Sequence, residues 1–316
     1  MALAERNIWQ IYGLAVESDF AFPFPRADRE QVDLTLLDEG ILVPPLWPVP
    51  RRTPLDWQAV QDGWALSYAF DTGETLRFGF DSGGTMLRMK HTLAERQDAL
   101  LLLLGIGFAS ALHLRRIPMF HAAAVVVDGS AILLLGGSGA GKSTLAGVLA
   151  SLGCPYLCDD LAPLAVDGSL RVIPGHPWLK VDPAASRLLG VDEADLHPVF
   201  RGFPGYVERW VDTHQLAGGF ADKPAPLRAI YLLDGRRREP IATTITSVLP
   251  GRACLELTRF LYGPWLPRRS EDVLQLCSLV ARHVPVRRVC VPDGLDRLPR
   301  FGRALLADAA DLSRRS

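Results

Sequence analysis

The feature that most restricts the fold is the run Gly136-Gly137-Ser138-Gly139-Ala140-Gly141-Lys142-Ser143-Thr144, set between an apolar segment and a helix-patterned one. It satisfies G-x-x-x-x-G-K-[ST] through Gly136, Gly141, Lys142 and Ser143. Its glycines open backbone conformations closed to residues with a Cβ, so several N–H groups can converge on one phosphate cluster. The helix that follows adds unpaired amides and its positive dipole end. Residues 137–144 are therefore read as a nucleotide cradle, with Lys142 reaching the outer phosphates and the Ser143 hydroxyl as a magnesium ligand.

The surroundings give the motif its meaning. Residues 120–127 and 130–135 are strand-like runs flanking Asp128-Gly129, a hairpin turn, and the second run feeds the glycine-rich loop. Residues 142–152 place Leu145, Val148, Leu149 and Leu152 on one helical face. A strand over 156–158 then ends in Asp159-Asp160. Residues 170–173, 229–233, 241–248 and 287–291 are further strand candidates, and 271–283 a helix candidate. Strand, loop, helix and mixed strands together imply an α/β nucleotide-binding domain over residues 119–316.

Residues 1–92 read as a β-rich module, with strands expected over 8–16, 63–70, 75–80 and 85–90. The Asp/Gly clusters at 71–74 and 81–84 predict hairpins, and the proline-rich stretch 20–54 predicts irregular chain. A helix over 93–116, within a linking segment 93–118, ends before Pro118. Its apolar part, 99–112, is shorter than the roughly 20 residues a membrane-spanning helix needs and predicts a buried helix.

Lys+Arg 34 against Asp+Glu 35 gives a formal net charge of -1. That offers no global field toward nucleic acid or an anionic membrane, so an anionic ligand must be held locally. The N-terminus lacks a secretory pattern and predicts a cytoplasmic protein. The five cysteines form neither a disulfide framework nor a metal-ligand pattern and are read as thiols. Trp47, Trp57, Trp64, Trp178, Trp210 and Trp265 are expected mainly in the core.

Asp159-Asp160 closes a strand soon after the loop's helix, where ligands gather in such sheets. One carboxylate there can serve the magnesium ion and the other accept a hydroxyl proton during phosphoryl transfer. His121 opens the strand after the proline break; read alone, a histidine there is more often a hydrogen-bonded structural residue than a catalyst.

Phe120-His121-Ala122-Ala123, the phosphate loop and Cys158-Asp159-Asp160, in that order and at close spacing, resemble the catalytic core of HPr kinase/phosphorylase. The resemblance covers about residues 120–164. It implies a P-loop kinase domain of the HPr kinase type behind the N-terminal module. It also implies ATP and Mg2+ as cofactors, Asp159 as base, Asp160 as its metal-side or supporting partner (with Ser143 on the metal side), and His121 beside them; which aspartate takes the proton is left open by the sequence. Ala122 stands where that family has glycine, and the family's Glu-Ile-Arg-Gly-Leu-Gly signature, tied to the reverse reaction, is not found. The chain is similar rather to divergent kinases of the superfamily that phosphorylate the C-terminal serine of a lasso-peptide precursor. Residues 11–18 and 172–180 add weaker matches to that subgroup.

Arg209 and Arg259 are candidates for steadying charge on the transferring phosphate, with Lys180 a weaker one. The expected activity is an ATP-dependent serine kinase acting on a small protein or peptide, with no nucleic-acid or membrane partner. The family includes ring-shaped hexamers, so a homo-oligomer is compatible with the resemblance. The alternatives are a P-loop ATPase, a nucleotide-dependent switch and a small-metabolite kinase.

Overall fold

A computed structural model of the chain describes residues 7–18, 20, 22, 24, 26–28, 31–41, 55–70, 73–93, 98–201, 206–237, 244–263 and 266–315. The chain divides into two compact units. The first is Met1–Ile117 with Phe200–Tyr206 and Gly263–Pro267; the second is Pro118–Val199 with Val207–Tyr262 and Arg268–Ser316. The helix expected as a separate linker is thus part of the first unit.

In the first unit, β1 (Ile8–Ile11), β2 (Leu14–Ser18), β3 (Leu34–Ile41), β4 (Leu55–Val60), β5 (Gly63–Ala69), β6 (Thr75–Asp81) and β7 (Met86–His91) form one sheet in the order β1-β2-β3-β7-β6-β5-β4. The single strand expected over 8–16 is a hairpin. Tyr12 and Gly13 both take positive φ (51° and 73°), the two-residue turn that matches strand twist, so Ile11 faces Leu14. The stretch 20–54, expected to be irregular, supplies β3, which lies parallel to both β2 and β7 and buries Leu34 and Leu36. β4 is largely exposed and lacks the alternation that marks a half-buried strand. The turn at 81–84 joins β6 to β7 as expected, whereas Asp71 and Thr72 of the other expected turn lie outside the described residues.

The expected helix over 93–116 is α1 (Asp98–Leu102), a π-helical turn (Leu103–Gly107) and α2 (Phe108–Leu114), with 94–97 outside the described residues. It is buried along most of its length. Among the described residues no helix is long and apolar enough to cross a membrane.

The second unit is a mixed α/β structure. It contains β8 (Met119–Phe120), β9 (Ala122–Val127), β10 (Ser130–Leu135), α3 (Lys142–Ser151), β11 (Tyr156–Cys158), β12 (Ala162–Val166) and β13 (Leu170–Val172). Then follow β14 (Trp178–Val181), α4 (Pro183–Leu189), β15 (His197–Pro198), β16 (Arg209–Asp212) and β17 (Ala225–Arg237). The unit ends with β18 (Ile245–Val248), α5 (Pro250–Leu257), α6 (Ser270–His283), β19 (Val286–Pro292) and α7 (Leu298–Arg315). Residues 241–243 of the strand expected over 241–248 lie outside the described residues.

The main sheet runs β11-β9-β10-β17-β13-β12-β8, with β19 beside β17 and β18 beside β19. β17 is parallel to both β10 and β19. Burial on both faces explains why β10 reads as a continuous apolar run. Ile132 and Leu134 face one core with α3 and α7, while Ala131, Leu133 and Leu135 face another with α5 and α6.

α7 escaped the sequence reading, although Leu298, Phe301, Leu305 and Ala309 are buried at helical spacing. Its arginines Arg300 and Arg303 fall on the exposed face, so the stripe is strongly amphipathic and a usable signal. Arg287 of β19 pairs with Asp308, which also accepts a 2.8 Å bond from the Tyr231 hydroxyl, fixing α7 to the sheet.

A three-stranded sheet, β14-β16-β15, lies apart from the main one. Leu179, Val181 and Val211 enter the core with α3, and alternation turns Trp178, Lys180 and Trp210 to the other face, where Lys180 stands opposite Trp210 in register. Of the six tryptophans expected in the core, Trp210 is buried; Trp57, Trp64 and Trp178 are half-buried, and Trp47 and Trp265 lie outside the described residues. All five cysteines are free thiols.

The loop after β16 is bound to the end of α3. Gly218 N–H donates to the Ala150 carbonyl at 2.8 Å, and a Cβ at Gly218 would stand 2.1 Å from the Cys154 carbonyl oxygen. Backbone on backbone cannot yield as a side chain can. Gly218→Ala is expected to cost roughly 3 kcal/mol or more, read as a drop in the denaturation midpoint; parent-like stability would contradict the close approach.

Candidate active site

Strand topology assembles the site. β10 and β11 both run antiparallel to β9, which lies between them: Ala124 faces Leu133 on one side and Cys158 on the other. Two strands antiparallel to a common neighbour have their carboxyl ends at the same edge, which is also where that neighbour begins. The loop after β10, Asp159-Asp160 after β11 and His121 before β9 therefore meet at one edge. His121 lies in the break between β8 and β9, where the chain changes partners from β12 to β10 and β11. Its N–H donates to the Phe260 carbonyl at 2.7 Å.

The loop has the backbone its glycines were expected to permit. Gly139 and Gly141 take φ of 75° and 93°, and the Ala140 N–H closes a turn on the Gly137 carbonyl. Gly137, Ser138 and Gly139 face solvent, Ala140 is buried, and Lys142, Ser143 and Thr144 start α3. The Lys142 ammonium is folded onto the loop, 3.0 Å from the Gly136 carbonyl, 3.3 Å from that of Gly137 and 3.1 Å from His121 Nε2.

Those contacts fix the His121 tautomer. An ammonium only donates, so Nε2 is the acceptor; a carbonyl only accepts, so Nδ1 carries the proton it gives to the Asp160 carbonyl at 3.0 Å. Burial, then the Lys142 charge, lowers the imidazole's pKa and keeps it neutral. Burial also lowers the pKa of Lys142, against the pull of Asp159 and Asp160.

The two aspartates part company at the strand end. Asp160 takes φ of 61°, and the Leu161 N–H bonds the Asp159 carbonyl at 2.7 Å, a γ-turn of the rarer, strained kind. Asp160 Oδ2 receives Lys180 Nζ at 2.7 Å, and Glu208 lies 3.8 Å from the same amine. Burial would raise the pKa of Asp160, but the Lys180 charge and hydrogen bond outweigh it and hold the carboxyl below its ordinary value.

Asp159 is 6% exposed; neither of its oxygens makes a hydrogen bond of full geometry, although the Ser143 hydroxyl and the Asp160 N–H are donors beside it. Burial, then the Asp160 charge, pushes its pKa up to about 7; the Lys180 charge and the nearby Ser143 hydroxyl pull the other way. Of the two roles expected for Asp160, metal-side or supporting, the geometry shows it held by Lys180, while Asp159 is the carboxylate beside Ser143.

Among the described residues no cluster of three or more His, Cys, Asp or Glu could cage a metal ion. A magnesium ion arriving with a nucleotide needs only one or two protein oxygens, with phosphate and water filling its octahedron. The Ser143 hydroxyl, in the first turn of α3, fits that demand.

The predicted arginines are not drawn into this cluster. Arg209 donates to the carbonyls of Val207 and Glu208 at 2.8 and 3.1 Å. Arg259 is exposed and makes no hydrogen bond or ion pair among the described residues, one residue before the Phe260 carbonyl that holds His121. Two site residues were missed. The Tyr262 ring lies 5.9 Å from that of His121, and burial, then the Asp160 charge, raises its pKa. His176 is buried, accepts the Trp178 N–H at 3.3 Å, and is pushed down to about 4 by burial, hence neutral. Tyr262 belongs to no motif and arrives through the bridge between Phe120 and Leu261; His176 lies within residues 172–180, which the resemblance matched without giving it a role.

No family model matches the chain, and no curated protein matches it. Among solved structures it is similar to the Hpr(Ser) kinase/phosphatase from Coxiella burnetii, at 14% identity and a TM-score of 0.32, over 63% of this chain and 99% of that one. A likeness of that size carries no weight for the activity, which rests on the site itself.

The buried Asp159 carboxylate sets an expectation for the nucleotide-free, metal-free protein. A folded pKa of about 7 against an ordinary 3.8 means the native state holds a proton that the unfolded chain releases. This stabilisation is full below about pH 4 and is lost as pH rises through about 7. Asp159→Asn has no such loss, so its melting temperature should exceed the parent's by a margin that widens toward about pH 8. A margin that narrows with rising pH in a melting series would contradict the burial argument.

Proposed function

We propose that the chain is an ATP- and Mg2+-dependent kinase that transfers the γ-phosphoryl group to a serine hydroxyl of a small protein or peptide. One observation carries the reading: the carboxylate of Asp159, buried, paired to no cation and only weakly bonded, stands at the same sheet edge as a complete phosphate loop. Burying a carboxylate without a full set of partners costs stability, which such sites give up for chemistry.

The loop amides and Lys142 hold the nucleotide's phosphates, and Lys142 can trade its loop carbonyls for phosphate oxygens. Asp159 takes the proton of the acceptor hydroxyl as the new O–P bond forms and the bond to the β-phosphate oxygen breaks, releasing ADP. A carboxyl raised to about 7 is matched to that task near neutral pH. The bound Mg2+ supplies charge neutralisation on the phosphates, with Ser143 as its protein ligand. His121, neutral and accepting from Lys142, orients the lysine.

The motif resemblance supports serine as the acceptor, with the C-terminal serine of a lasso-peptide precursor as the specific candidate. The exposed Arg259 is the cation of the expected pair available to a phosphate.

The test measures ATP binding by calorimetry and phosphoryl transfer from γ-labelled ATP to peptides ending in serine, to HPr and to water. Lys142→Ala should weaken ATP binding roughly tenfold or more. Asp159→Asn should retain binding while transfer falls roughly 100- to 10,000-fold. ADP formation that needs no acceptor would favour the ATPase reading, and undiminished transfer by Asp159→Asn would remove the proposed base.

A further inference from the structure

We infer that Lys180 is a positioning residue for the acid pair: it holds the Asp160 carboxylate away from the phosphate loop, leaving Asp159 as the one carboxylate that meets the acceptor hydroxyl. This rests on the kinase reading and adds a residue that belongs to neither the loop nor the catalytic strand end.

The geometry is specific. Lys180 comes from β14, in the separate three-stranded sheet, and its ammonium reaches Asp160 Oδ2 at 2.7 Å with a side chain only 16% exposed. Its neighbours Leu179 and Val181 are 0% and 1% exposed and anchor the strand in the core, so the lysine stem starts from a rigid point. Opposite it in register stands Trp210, also buried. Glu208, 3.8 Å away, adds a second carboxylate beside the same ammonium.

Asp160 cannot be held by its backbone alone. At φ 61° it occupies a conformation that L residues adopt reluctantly, and it persists where several contacts agree on it. Two of those contacts take carbonyls: Leu161 N–H on that of Asp159 and His121 Nδ1–H on that of Asp160. The third takes the side chain, and that is Lys180. Without it the Asp160 carboxylate is left beside a like charge, with the Lys142 ammonium as the next cation at hand. Turning toward Lys142 would bring it into the space where nucleotide phosphates bind and would compete with Asp159.

The role differs from that of a phosphate-binding lysine, and kinetics separate the two. In the full-length enzyme, Lys180→Met should lower kcat roughly tenfold or more with the KM for ATP changed by less than about twofold. Lys180→Arg, which keeps the charge and can still reach a carboxylate, should recover most of the loss. In an Asp160→Asn background, Lys180→Met should cost almost nothing further, because the group it positions has lost its charge.

A raised KM for ATP with unchanged kcat would overturn the proposal and make Lys180 a nucleotide ligand. Losses that multiply in the double variant would overturn it as well, as would a lowered melting temperature with unchanged kcat. A parent enzyme that binds ATP yet phosphorylates no acceptor overturns the kinase reading and this assignment together; an active parent with an unaffected Lys180→Met overturns the assignment alone.

Discussion

At Asp160 the chain turns with a positive φ, and two consecutive carboxylates leave the strand end toward different partners, Asp159 toward Ser143 and Asp160 toward Lys180. In an extended strand alternation would send neighbouring side chains to opposite faces of a sheet that is buried on both. The left-handed turn instead keeps both acids at the edge. Aspartate is among the few residues with a side chain that tolerate this conformation, at a cost of about 1 kcal/mol. The bonds from Leu161, His121 and Lys180 offset that cost.

The same turn settles the electrostatics. Lys142, Asp159, Asp160 and Lys180 form a set of two cations and two anions at one edge, with a neutral His121 between Lys142 and the Asp160 carbonyl. The pairing is uneven: Asp160 has a direct cation and stays ionised, while Asp159 has none and rises toward neutrality. Two like groups adjacent in sequence thus acquire different acidities from their surroundings, the arrangement by which one site can hold both a fixed charge and a proton acceptor. Lys142 is folded onto loop carbonyls that a nucleotide does not need, so binding phosphate exchanges one set of oxygens for another rather than desolvating a free ammonium.

What the sequence made legible is what depends on neighbours along the chain. The phosphate loop, the Asp128-Gly129 hairpin, α3 and the strand ending in Asp159-Asp160 are written in local spacing and all appear. β3 is hidden because its alternation is short and sits in proline-rich chain; α7 is legible, since its buried residues recur at helical spacing against an arginine-bearing exposed face. The roles within the acid pair are illegible for a different reason. Which aspartate faces Ser143 depends on one backbone dihedral and on a lysine twenty residues away on another sheet. Tyr262 carries no local signal and reaches the site only through tertiary pairing.

The alanines of β9 connect the core to the chemistry. Ala122, Ala123 and Ala124 are fully buried between β10 and β11, with Ala122 and Ala124 facing one core and Ala123 the other. A larger side chain at Ala123 would push against α3, the helix that carries Lys142 and Ser143, and that displacement ends at the site. Strand spacing itself is held by backbone hydrogen bonds whatever the side chains, so what the alanines set is the distance to the next layer. Ala123 lies against α3, and its small side chain lets the helix that carries Lys142 and Ser143 sit close over the sheet edge where Asp159 leaves β11.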